Sequence, residues 1–173
     1  IPGLLLAEMG SSGRVRRRDG RKAVRKLVSE IYSPPRITDL PKRTRSRHLM
    51  AGFALDLTVM DEDGQPLDFT VQQKREKART MLRDPAPYML SAPPACKEFS
   101  TWLALSLATA KDPEGMRRAR AASVLHRDFV ASLHNEQAEG GRYFLHEHTS
   151  GASSWKVPSI EQVLGRADVQ RVH

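Results

Sequence analysis

The fold is decided by residues 72–92, which read QQKREKARTMLRDPAPYMLSA. Gln72–Arg83 is rich in Lys, Arg, Glu, Gln and Ala, all good helix formers, and the run stops ahead of Pro85. Tyr88–Ala92 then has the short apolar composition of a buried strand. A helix that leads directly into a buried strand indicates an α/β layered domain with a parallel sheet.

The same alternation extends toward the N-terminus. Leu27–Tyr32 is a short apolar run, either strand or helix, and Ser33-Pro34-Pro35 closes it. Phe53–Val59 has strand composition and ends in the acidic turn at residues 61–64.

Toward the C-terminus the pattern predicts a long helix, a strand and a short helix. The long helix is capped by Asp112, has Pro113 at its first position and ends at Gly140-Gly141. Its predicted apolar stripe consists of Leu125, Phe129 and Leu133. Tyr143–His146 follows as a strand, and a last helix begins with a possible capping box, Ser159 with Gln162, and ends at Gly165.

Positive charge is concentrated at the N-terminus. Residues 1–48 contain 13 Lys and Arg against 4 Asp and Glu, a net of +9, while the remainder contains 15 against 16. A basic segment of this kind favours a polyanion such as DNA as partner, or it is a solvated tail. We expect Met9–Lys22 to be disordered because it has almost no apolar residues to bury.

Cysteine count and hydropathy restrict the class of protein. The single cysteine, Cys96, excludes an internal disulfide framework and a multi-cysteine zinc site. The apolar run Ile1–Ala7 is too short to span a bilayer and makes a poor signal peptide. We therefore expect an intracellular protein, with the nucleus as one candidate location and with no membrane partner. Both chain ends look cut.

Three strand ends carry candidate chemistry, because ligands of parallel sheets bind beyond the carboxyl ends of the strands. Cys96 lies between a strand end and a helical stretch, where a helix dipole and Lys97 favour the thiolate; the alternative is a small buried side chain. Glu147, flanked by two histidines, is either a proton donor or an ordinary exposed acid. Asp56 and Asp68 suit hydrogen bonds to a nucleoside, or cap turns.

The chain resembles the DNA cytosine-C5 methyltransferases. Cys96, Phe99 and Ser100 keep the spacing of that family's Pro-Cys-Gln-x-Phe-Ser motif, and His146-Glu147-His148 looks like the counterpart of its Glu-Asn-Val motif. Over residues 30–172 the chain is most similar to methyltransferase-like segments of retroelement polyproteins. The family's glycine-rich first motif has no counterpart, since the matching strand end at residues 31–36 contains no glycine.

The resemblance implies an α/β domain with a Rossmann-like, partial doubly wound sheet over residues 27–173, truncated at its C-terminus and preceded by a flexible basic segment, residues 1–26. It also implies S-adenosylmethionine as cofactor. The catalytic residues would be Cys96, which attacks C6 of a flipped cytosine, and Glu147, which hydrogen-bonds N3. The residues implied to contact the cofactor are Ser33, Asp56, Asp68 and Pro94.

Two other interpretations stay open. The chain is also consistent with a catalytically inactive, nucleic-acid-associated segment of a mobile-element polyprotein. It is also consistent with an unrelated thiol enzyme that pairs Cys96 with His146 or His148.

Overall fold

A computed structural model describes residues 26–94, Phe99 and residues 112–172. Within these residues the chain forms four strands, four α-helices and a short 3-10 helix. In chain order they are β1 (Lys26–Ile31), α1 (Leu40–Arg43), β2 (Leu49–Leu55), α2 (Gln72–Arg83), β3 (Met89–Ser91), α3 (Pro113–Glu139), β4 (Tyr143–Leu145), the 3-10 helix (Ser153–Lys156) and α4 (Pro158–Leu164).

The four strands form one parallel sheet in the order β2-β1-β3-β4, which confirms the predicted α/β class and the parallel sheet. Parallel neighbours need a connection that crosses back over the sheet, and α2 and α3 provide two of these crossovers. Cys96 and residues 9–22 lie outside the described residues, so the predictions about the thiol and the disordered segment stay predictions.

Two apolar clusters hold the helices on the sheet. The larger cluster joins strand residues such as Ile31 and Leu90 to Phe129 and Leu133 of α3. The smaller cluster packs Phe99 and Ala131 against α4, through Ile160 and Val163. α3 therefore contacts both the sheet and the C-terminal elements, and it fixes their relative positions.

Several predicted boundaries are confirmed. The helix Gln72–Arg83 has the predicted bounds. The helix α3 begins at Pro113 after Asp112, whose carboxylate accepts a hydrogen bond from Gly115 N at 2.8 Å, and its last turn runs into Gly141, which adopts a φ of 64°. Helix-forming composition ahead of Pro85 specified the first helix, and local capping chemistry specified the start of α3.

Three predictions were wrong. β2 spans Leu49–Leu55 instead of Phe53–Val59, because a turn closed by Val59 N and Asp56 O ends it early. Leu125 is 46% exposed and does not continue the apolar stripe. No capping box forms at the last helix, because Pro158 starts it, Val157 is the capping residue and Ser159 lies inside.

The cap of α3 gives a direct test of this helix start. We expect Asp112→Ala to lower the free energy of unfolding by about 1 kcal/mol, because it removes the acceptor for Gly115 N. Asp112→Asn, which keeps a side-chain oxygen, is expected to cost only a fraction of that. Urea unfolding followed by circular dichroism measures both, and equal stability of the alanine variant and the wild type would contradict the assignment.

Candidate functional site

The candidate site lies at the carboxyl edge of the sheet, between β1 and β3. The chain passes from β1 to β2 on one side and then returns across β1 to reach β3 on the other. The connections after β1 and β3 therefore diverge, and open α/β sheets bind ligands in the crevice that this divergence creates.

The loop after β1 is organised by a buried carboxylate that the sequence analysis did not identify. Glu30 is 1% exposed, and its Oε1 accepts hydrogen bonds from Arg36 N at 2.7 Å and from Thr38 N and Oγ1 at 2.9 and 2.6 Å. Its Oε2 accepts one from Ile37 N at 3.2 Å. Burial raises the pKa of Glu30, but these four hydrogen bonds together hold it below its ordinary value. The carboxylate is therefore an internal anion around which the loop folds.

Tyr32 provides the sharp turn from β1 into this loop. Its φ is 67°, the left-handed conformation that glycine adopts most easily. Its backbone N donates to Leu55 O at 2.7 Å, its hydroxyl lies 3.0 Å from His126 Nδ1, and its ring contacts Phe69 edge-on. Burial raises the pKa of the Tyr32 hydroxyl well above its ordinary value, so the phenol is neutral. Tyr32 thus adopts a left-handed backbone conformation while its ring packs in the core.

Ser33 and Pro94, two of the residues implied to contact a cofactor, are buried. The Ser33 hydroxyl donates to Pro34 O at 2.9 Å and accepts from Arg36 Nε at 3.1 Å, so its polar atom already has partners in the loop. Pro94 follows β3 and carries no side-chain donor or acceptor. Neither side chain therefore offers a free polar group to a ligand.

Asp56 and Asp68 carry accessible carboxylates near the end of β2. Asp56 directly follows β2, and its Oδ2 accepts from Thr58 Oγ1 at 2.7 Å. Asp68 accepts from the Thr70 backbone and hydroxyl, both at 2.9 Å, so it stabilises a turn as well. Asp68 lines a cavity of about 810 Å³ formed by the β2–α2 connection and α2, and Asp56 does not.

The acids of the turn that lines that cavity pair with lysines of α2. Lys74 Nζ, which is largely buried, lies 2.7 Å from Asp61 Oδ2 and 2.6 Å from Asp63 Oδ2, and Lys77 pairs with Asp61 as well. The hydrogen bonds from the two ammonium groups lower the pKa of Asp61. This network ties the acidic turn to α2.

Glu147 lies just beyond the carboxyl end of β4. Burial alternates along this segment, so that Glu147 is exposed while His146 and His148 are partly buried on the other side. Ser91 of β3 pairs with Leu145 of β4, and Ala92 N donates to Leu145 O at 3.0 Å. The segment that leads from β3 toward Cys96 therefore leaves the sheet beside the segment that carries Glu147.

The two histidines join a third, His134 of α3, in a cluster with Trp155. His134 Nε2 lies 3.2 Å from His146 Nδ1, and the ring of Trp155 contacts His146 and His148 edge-on at 5.4 and 5.8 Å between centroids. Burial lowers the pKa of His146 to about 4, with further contributions from the charges of His148 and Arg127. Burial and Arg127 likewise lower the pKa of His148 to about 4.

His146 and His148 could hold a metal ion only with a third ligand, and the part of the chain that the structure describes arranges none beside them. Among residues 26–94, Phe99 and 112–172, no group of three His, Cys, Asp or Glu side chains is arranged to hold a metal ion. The rings of His146 and His148 are tilted at 41° to each other, with centroids 6.0 Å apart.

Arg127 is a further buried residue that sequence periodicity did not reveal. It is 1% exposed, its Nη1 donates to Ser123 O at 3.0 Å, and its guanidinium lies over the ring of Phe99 at 3.7 Å. Because Phe99 belongs to the segment that follows Cys96, Arg127 links α3 to that segment. A guanidinium stacked on an aromatic face is stabilised by the ring quadrupole.

Comparisons with protein-family models, with curated proteins and with solved structures find no match to this chain. Among the helices that the structure describes, none is long and apolar enough to cross a membrane.

Proposed function

We propose that this domain is a Rossmann-like, methyltransferase-type domain that binds S-adenosylmethionine at the carboxyl edge and is related to enzymes that methylate cytosine in DNA. The observation that carries the proposal is the loop after β1, which is closed by Glu30 at the switch point of a parallel sheet, next to the accessible Asp56 at the end of β2. The alternative is a catalytically inactive domain with the same fold that associates with nucleic acid.

The Glu30 loop favours a nucleoside over a nucleotide. Dinucleotide-binding loops use free backbone N–H groups to hold phosphate oxygens. Here the N–H groups of Arg36, Ile37 and Thr38 already donate to the Glu30 carboxylate, and a phosphate would meet that negative charge. A nucleoside cofactor without phosphates fits this loop.

Asp56 is suited to hold the ribose of such a cofactor. An acid at the end of the second strand of a doubly wound sheet can accept hydrogen bonds from ribose hydroxyls. Within the described residues only Thr58 engages the Asp56 carboxylate, which leaves acceptor capacity for a ligand. S-adenosylmethionine supplies a transferable methyl group on a sulfonium.

The catalytic part of the proposal rests on Cys96 and Glu147. Because β3 and β4 are parallel neighbours, the segments beyond their carboxyl ends start at the same edge of the sheet. This arrangement supports a shared site in which the Cys96 thiolate attacks the ring and Glu147 holds its N3 edge. Glu147 is exposed, so a base could reach it.

Exposed arginines near the same edge support DNA as the partner. The N-terminal half of α3 extends beyond this edge, since His126 contacts Tyr32 just after β1, whereas Gln137 reaches Pro87 and Tyr143 at the opposite edge. The exposed arginines of its first turns are Arg117, Arg118 and Arg120. Phosphate groups bind such a cluster without base specificity.

Calorimetric titration of S-adenosylmethionine into the full chain tests the cofactor site. We expect binding that Asp56→Ala weakens by roughly 10-fold or more, because a hydrogen bond to a charged acceptor contributes about 1.5–3 kcal/mol. Adenosine triphosphate should bind no more tightly than S-adenosylmethionine, since Glu30 occupies the loop donors.

Asp84→Ala is the matched control for that titration. Asp84 is an exposed aspartate at the C-terminal end of α2, away from the carboxyl edge, and its removal should leave the affinity unchanged. Absence of binding by folded wild-type protein, or equal losses in the two variants, would contradict the cofactor site.

A further inference from the structure

A second cavity, of about 270 Å³, lies between β4, α4 and residues 169–172. It does not include Ser33, Asp56, Asp68 or Pro94, and it shares only Glu147 with the residues assigned above. Its walls are mostly aromatic and aliphatic; the main members are Phe144, Trp155, Ile160, Val163, Leu164 and Val169. A flat apolar ligand would bury its faces against these side chains.

Two imidazole nitrogens among the lining residues have no hydrogen-bond partner within the part of the chain that the structure describes. They are Nδ1 of His134 and Nε2 of His148, and both atoms are shielded from solvent. His134 as a whole is 1% exposed and is held by its stack on Phe144, at 4.2 Å between centroids. A buried polar atom without a partner is unfavourable, so a ligand that supplies a partner here gains affinity.

The contact between His134 and His146 allows Nδ1 of His134 to be either a hydrogen-bond acceptor or a hydrogen-bond donor. If His134 Nε2 donates to His146 Nδ1, then His134 Nδ1 is an acceptor. If His146 Nδ1 donates instead, His134 Nδ1 carries the proton and is a donor. Nδ1 of His134 and Nε2 of His148 can therefore form hydrogen bonds with a ligand that has both a ring N–H and an unprotonated ring nitrogen.

The electrostatics favour an uncharged ligand. Burial keeps the imidazoles of His134, His146 and His148 neutral near pH 7, since it lowers the pKa of each one. The guanidinium of Arg171 at the rim is turned onto the ring of Trp155, at 4.3 Å, and donates to Ser150 O. The charged residues that line the cavity, Glu147 and Arg171, carry opposite charges, so the lining has no net charge that would select an ion.

We propose that this cavity binds an uncharged planar nitrogen heterocycle about the size of a nucleobase, with its faces against Trp155 and the aliphatic wall and its nitrogens at His134 and His148. The proposal does not depend on the cofactor site. It assigns a second ligand to the domain, at the free edge of β4.

Three bicyclic ligands of the same shape test the inference by calorimetry at pH 7.5 with the full chain. Benzimidazole has a ring N–H and a ring nitrogen, indole has only the N–H, and indene has neither. We expect benzimidazole to bind roughly 30-fold more tightly than indene and indole roughly 5-fold more tightly, because each satisfied buried polar atom contributes about 1 kcal/mol. Equal affinities across the series, or no binding by folded protein, would overturn the proposal.

A substitution at His148 tests whether the ligand contacts this residue. His148→Phe keeps a flat ring and removes both nitrogens, so it should reduce benzimidazole affinity roughly 5-fold and leave indene unchanged. His48→Phe, at an exposed histidine just before β2, is the control and should change neither affinity. If His148→Phe binds benzimidazole as well as the wild type does, the site is not the one proposed.

Discussion

Glu30→Ala is expected to lower the free energy of unfolding by about 3 kcal/mol or more, because it removes a buried acceptor that serves four donors at once. The donors left behind belong to Arg36, Ile37 and Thr38, and Thr38 is itself buried. Urea unfolding of the variant and the wild type measures the difference.

Two further variants show whether the loss arises from the hydrogen bonds. Glu30→Gln keeps the side-chain length and one acceptor oxygen, so it should lose only part of the stability, about 1–2 kcal/mol. Glu139→Ala, at the exposed end of α3, should change stability by no more than about 0.5 kcal/mol. If Glu30→Ala matches Glu139→Ala, the carboxylate does not organise the loop.

Acidification from pH 7 to pH 5 is expected to destabilise the protein steeply through the histidine cluster. In the folded protein burial keeps the pKa of His146 and of His148 at about 4, and that of His134 also well below its ordinary value. In the unfolded chain each imidazole accepts a proton near pH 6.5. The stabilising contribution is therefore fully present above pH 6.5 and is lost as the pH falls toward 4, by at most about 1.4 kcal/mol per pH unit for each histidine.

Urea unfolding at several pH values between 7 and 5 measures this slope, in a range above the titration of most carboxylates. His146→Phe should make the slope shallower, because one neutral buried imidazole is removed, whereas His48→Gln at an exposed site should not. A stability that stays level over this range would mean that the cluster is protonated or open to water in the folded protein.

The sequence predicted those parts of the fold whose signals are local. The bounds of Gln72–Arg83 follow from composition and Pro85, and the start of α3 follows from Asp112 and Pro113. The parallel sheet followed from the alternation of these helices with short apolar strands. β2 was misplaced because Leu57, Thr58 and Val59 have strand composition, although a turn closed by Val59 N and Asp56 O follows the end of the strand at Leu55.

The polar core of the site could not be predicted, because its partners are distant in sequence or are backbone groups. Glu30 lies in the apolar run Leu27–Tyr32, and nothing in that run shows that its carboxylate bonds three backbone amides of the next loop. Arg127 and His134 occupy the buried face of α3, where an apolar stripe was predicted. In the sequence, a charged or imidazole side chain among the apolar positions of a helix is the signal that could have identified Arg127 and His134.

The most direct test of the proposed cofactor site is an amide chemical-shift map of the full ¹⁵N-labelled chain titrated with S-adenosylmethionine. Saturating shifts are predicted at the loop after β1, residues 33–38, and at residues 56–58 beyond β2. Shifts confined to the acidic turn and α2, or to the cavity around His148, would place the ligand elsewhere and contradict the proposal. No shifts in folded protein would contradict it as well, and would favour the inactive, nucleic-acid-associated alternative.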